Sequence, residues 1–79
     1  MDTERISALE AAKAEGRSPF VAVRMIRDSR LFEAGKEFNI AMDMRKVYGL
    51  TTRQLHDIVA WFKGFASDEE LKDSLEPDE

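Results

Sequence analysis

The chain has 79 residues, 43% of them apolar and 35% charged, with no cysteine and a formal net charge of −4. A chain of that length encloses one hydrophobic core and not two, and the lack of cysteine excludes disulfides, thiolate metal sites and thiol nucleophiles while fitting a reducing compartment. No apolar run approaches the roughly 18 residues that cross a bilayer. The N-terminal stretch is charged throughout, without the apolar region of a secretory signal, so the expected location is the cytoplasm.

Good helix formers (Ala, Glu, Lys, Arg, Leu and Met) dominate, and strand-like alternation is scarce. The first helix is expected over residues 3–15, capped by Asp2 or Thr3 and closed by Gly16, with Ile6, Leu9, Ala12 and Ala14 as its stripe. A second opens at Ser18-Pro19, where a hydroxyl cap precedes a proline whose fixed φ already suits the first helical position. Phe20, Val23 and Ile26 form its apolar row, and a break is expected near Ser29-Arg30.

Residues 31–48 present apolar side chains around much of a helix, with Leu31, Ala34, Phe38, Ala41 and Met42 on one side. That places the segment at the centre of a bundle. Gly35 and Asn39 leave two options open: one long helix, or two helices with Asn39 capping the second. Gly49 ends this segment. Thr51 and Gln54 form a capping box for a further helix carrying Leu55, Ile58, Val59 and Phe62 inward, with Trp61 toward the stripe's edge. A second box, Ser67 to Glu70, starts a short acidic helix that ends before Pro77. The expectation is an all-α compact bundle of four to five short helices. A single domain spans residues 1–75, residues 76–79 form a frayed acidic tail, and Phe20, Val23, Ile26, Leu31, Phe38, Ile40, Met44, Leu55, Ile58, Val59 and Phe62 make the core.

Charge is unevenly placed. Residues 67–79 carry seven acids and one base, a net of −6, while the other residues hold eleven bases and nine acids, a net of +2. The acidic whole disfavours indiscriminate phosphate binding, yet the body is not hostile to nucleic acid.

Parts for catalysis are few. His56 is the single histidine, so nucleophile–histidine arrangements have nothing to work with. No spacing of acids or histidines matches a metal site, and no glycine-rich phosphate loop occurs. No catalytic residue, metal or cofactor is expected.

Two patterns bear on binding. Residues 39–63, two helices joined by Gly49-Leu50-Thr51, resemble a helix-turn-helix in length and turn chemistry, with Leu50, Leu55 and Ile58 at packed positions. Thr52, Arg53 and His56 would then read DNA, and Lys46 and Lys63 would meet phosphates. Arg45 stands where the motif usually has a small residue, and Asp57 on the same helix repels phosphate.

The second pattern lies in residues 16–36, GRSPFVAVRMIRDSRLFEAGK. Ala22-Val23-Arg24-Met25-Ile26-Arg27-Asp28, followed by Leu31, Glu33 and Ala34, is similar to the first helix and turn of the C-terminal domain of the ribosomal stalk protein, which runs Ala-Ile-Lys-x-x-Arg-Glu and then a leucine and Glu-Ala-Lys. The match covers about a quarter of the chain, lacks the Thr-Gly spacer and has Gly35 in place of the lysine. The resemblance implies a fold with three strands and a factor-recruiting helix face around Arg24 and Arg27.

The expected function is therefore non-enzymatic: a small protein-binding module acting as adaptor, regulator or inhibitor, of the kind phages and mobile elements encode. Arg24, Arg27, Trp61 and Phe65 are the candidate protein-binding residues, because Trp and Arg most often anchor interfaces. The alternative is a dimeric helix-turn-helix DNA-binding transcriptional regulator using Thr52, Arg53, His56 and Lys46. The identity of the protein partner and the oligomeric state stay open.

Overall fold

A computed structural model describes residues 3–76. It contains five helices: α1 (Thr3–Ala14), α2 (Pro19–Arg27), α3 (Glu37–Tyr48), α4 (Thr52–Phe62) and α5 (Asp68–Leu75). No strand occurs among the described residues, so the all-α bundle stands and the three-strand fold implied by the ribosomal-stalk resemblance does not. Asp2 and residues 77–79 of the expected tail lie outside the described residues.

The punctuation marks act as their chemistry requires. Ser18 accepts a hydrogen bond from the Val21 N–H and places Pro19 in the first turn of α2. Both capping boxes form, at Thr51/Gln54 and at Ser67/Glu70. Gly49 takes the left-handed conformation at φ 68° and ends α3, with its N–H bonded to the Arg45 carbonyl.

α3 is the hub, packing against α1, α2 and α4, while α5 lies across α4 and α2. Leu9, Val23, Ile26, Ile40, Met44, Ile58 and Leu71 are fully enclosed. One charged residue joins them: Arg5 of α1 is 3% exposed, and its Nε donates to Asp43 of α3 at 2.6 Å. Tyr48 closes the far end of α3 by donating its hydroxyl to the Arg17 carbonyl at 3.0 Å. Burial pushes its phenol above the ordinary value, and the nearby Arg17 charge partly opposes this.

Three expectations need correction. Residues 31–48 are neither one helix nor two that meet at Asn39. The chain leaves α2 at Asp28, turns through residues 28–36, and re-enters a helix at Glu37. Ser29 helps to stop α2, since its hydroxyl donates to the Ile26 carbonyl at 2.9 Å and accepts from the Leu31 N–H at 3.1 Å.

Phe38, expected in the core, is 54% exposed. With the helix starting only at Glu37, Ile40, Ala41 and Met44 set the buried face, and Phe38 falls on its flank with Met42. α4 is rotated as well. Trp61, expected at the edge, is 5% exposed, whereas Val59, Phe62 and the loop residue Leu31 are only half-buried.

Trp61 turns inward because its surroundings complete it. Its indole N–H donates to Asp68 Oδ1 at 2.7 Å, the Phe20 ring meets it edge-on at 6.1 Å, and the Arg27 guanidinium stacks 4.5 Å from its centroid. Glu76, just past α5, adds a further tie to α2, accepting a hydrogen bond from the Phe20 N–H in its first turn at 3.2 Å. A carboxylate suits that positive helix end.

Trp61→Ala should therefore cost about 3–5 kcal/mol, while Phe38→Ala, at an exposed site, should stay within about 0.5 kcal/mol of the parent. Urea unfolding followed by circular dichroism checks both values, and equal losses would contradict the assigned helix phases. Asp43→Ala, by removing a carboxylate that a buried guanidinium meets, should cost about 2–4 kcal/mol, whereas Arg5→Met with Asp43→Leu should recover most of that. A single variant as stable as the parent would show that the pair carries no structural weight.

Candidate docking surface

The proposed binding residues do not converge. Arg24 is exposed on α2. Arg27 is half-buried and held by Trp61, Asp28 and Asp68, with its Nη1 3.9 Å from the Asp68 carboxylate. Trp61 is enclosed and offers no surface to a partner. Phe65 is 81% exposed, the most open large apolar side chain among the described residues.

The alternative set also disperses. Thr52, Arg53, His56 and Lys46 are all exposed, but they face different hollows. Lys46 lines a groove shared with Ile6, Glu10 and Lys13 of α1. Arg53 lines a cleft between α4 and α5 together with Asp57, Glu70 and Asp73. There α5 is tied to the first turns of α4, since Gln54 donates to the Ser74 carbonyl at 2.9 Å and the Ser74 hydroxyl donates to Asp57 at 2.5 Å. Arg45 is exposed, so it does not occupy the close crossing of α3 with α4, which falls instead to the buried Ile40, Ala41 and Met44 side.

One surface does gather its parts. Phe38, His56, Val59, Ala60, Lys63 and Phe65 line a shallow groove of about 410 Å³ at the edge where α3 meets α4. Each residue arrives there for a local reason. Phe38 lies on the outward flank of α3 because Ile40 and Met44 claim the inward one. His56, Val59 and Lys63 follow one another at helical spacing on the side of α4 turned away from Leu55, Ile58 and Trp61. Phe65 is delivered by the helix end: Gly64 adopts φ 85°, and the Phe65 N–H bonds back to the Ala60 carbonyl at 2.8 Å.

The electrostatics of this edge are one-sided. No carboxylate lines the groove, while Lys63 is a fixed cation at its wall. Of the acids near it in sequence, Asp57 is engaged by Ser74 and Asp43 by Arg5, while Glu37, beside Phe38, is half-buried and does not line the groove.

Phe38 is expected inward with residues 31–48 read as either one helix or two; the structure, with the break before Glu37, turns it outward. For Val59 and His56 the signal was present, since both sit at i, i+3 and i+4 spacing from Phe62, Lys63 and Ala60. No group of three or more potential metal ligands occurs among the described residues, and no helix among them is long and apolar enough to cross a membrane. No protein-family model matches the chain, nor does any curated protein or solved structure.

Proposed function

We propose that this protein is a non-enzymatic, cytoplasmic protein-binding module, an adaptor, regulator or inhibitor, and that the Phe38/Phe65 groove is its docking surface. The observation that carries the reading is the joint exposure of two phenylalanines, 54% and 81%, at the wall of one groove. A domain this small has little apolar surface to spare, and burying a phenylalanine is worth about 1.5–3 kcal/mol. Leaving two of five outside on the same edge is the pattern of an interaction site. Aromatic side chains are also the ones that concentrate binding energy when a partner encloses them.

A DNA-binding function draws its support from the exposed Thr52, Arg53 and His56 at the start of α4. Against it stand the net charge of −4 and the acids Asp57, Glu70 and Asp73 in the cleft that Arg53 lines. Two exposed phenylalanines beside the would-be reading helix add nothing to phosphate contact.

Affinity capture from the source lysate, with and without nuclease, separates the two. Phe38→Ser with Phe65→Ser should reduce a stoichiometric, nuclease-resistant partner by roughly tenfold or more, with circular dichroism unchanged. Lys46→Ala with Arg53→Ala should leave that capture intact. Capture that survives the phenylalanine changes but is abolished by nuclease or by the Lys46 and Arg53 changes would favour the DNA reading.

A further inference from the structure

The groove also constrains what fills it. We infer that its occupant is a short acidic segment of another protein, one that places apolar side chains between Phe38 and Phe65 and carboxylates against Lys63 and His56. This inference rests on the protein-binding reading and adds the partner's chemistry to it.

Charge complementarity carries the inference. The groove walls hold Lys63 and His56 and no acid. Arg45 lies one turn beyond Met42 on α3 and is exposed. The single acid of α4, Asp57, is only half-exposed and is bonded to Ser74 rather than turned into the groove. A basic segment arriving here would meet like charge over an apolar floor, where desolvation strengthens repulsion. An acidic one gains orientation and a faster encounter.

A second copy of the chain fits poorly. A two-fold symmetric pairing through this edge would face Lys63 and His56 of each copy toward the same residues of the other. A head-to-tail pairing could bring the acidic α5 of one copy to the groove of the next. The apolar residues of that helix, Leu71 and Leu75, are 1% and 5% exposed in its own core, so it has no anchor to insert. Residues 77–79, Pro-Asp-Glu, are acidic but bring no large apolar side chain.

The test is selection from a displayed library of random 16-residue peptides against the full chain, counter-selected on Phe65→Ser. Enriched peptides should combine Asp or Glu with two or more large apolar residues. Synthetic versions should lose roughly tenfold in affinity on Phe65→Ser. On Lys63→Glu the loss should be roughly fivefold at low salt, shrinking as salt rises. Peptides that depend on Phe65 yet are neutral or basic would overturn the acidic partner and leave the protein-binding reading in place. A library that yields no Phe65-dependent peptide would overturn both. Sedimentation showing self-association that Phe65→Ser abolishes would overturn the inference in favour of a second copy.

Discussion

Between Asp28 and Lys36 the chain gives up helical geometry, and the disposition of the rest follows from that interruption. Ser29 competes for the last carbonyls of α2 with its own hydroxyl, and Gly35 holds φ near +87°, a conformation that other residues rarely adopt. α3 therefore starts at Glu37 with a phase of its own. Ile40, Ala41 and Met44 turn to the core and Phe38 and Met42 turn out. A helix continuous from Leu31 would have set a different face inward. The loop is itself fastened to the body: Arg30 reaches Glu4 at 2.7 Å, and Phe32 stacks on Phe62 at 5.4 Å.

The second constraint is the docking of α5. Its first residue, Asp68, accepts the Trp61 indole N–H, and Leu71 and Leu75 enter the core behind it. This rotates α4 so that the Leu55, Ile58 and Trp61 side is enclosed and the His56, Val59 and Lys63 side is left open. The acidic helix thus shapes the groove from the opposite side of α4. It also sequesters much of the molecule's negative charge away from the basic edge. The final helix is acidic, and the groove on the other flank of α4 holds Lys63 and no carboxylate.

Most helix ends were legible because they depend on local chemistry. Ser18-Pro19, the Thr51/Gln54 and Ser67/Glu70 boxes and the glycines Gly16 and Gly49 act within a few residues of themselves, and all stand where expected, whereas Gly35 falls in a loop rather than within a helical segment. The rotations of the helices were not legible, because tertiary partners decide them. Trp61 goes inward on account of Asp68, Phe20 and Arg27, none of which is a neighbour on its own helix. Arg5 enters the core where Asp43, 38 residues away, meets it. The candidate site inherited both errors. Trp61, expected at the stripe's edge, is enclosed, and Phe38, expected in the core, is open, while Phe65, just beyond the glycine that ends α4, is exposed.

The exposure of the five phenylalanines tests the helix phases, and with them the groove, most directly. Fluorine-labelled phenylalanine gives one resonance per ring, and a soluble paramagnetic chelate broadens each in proportion to its access to solvent. Phe38 and Phe65 should broaden strongly, Phe32 and Phe62 to an intermediate degree, and Phe20 little, in line with their burial. A Phe38 resonance as protected as that of Phe20 would mean that α3 begins before Gly35 and that the groove does not exist.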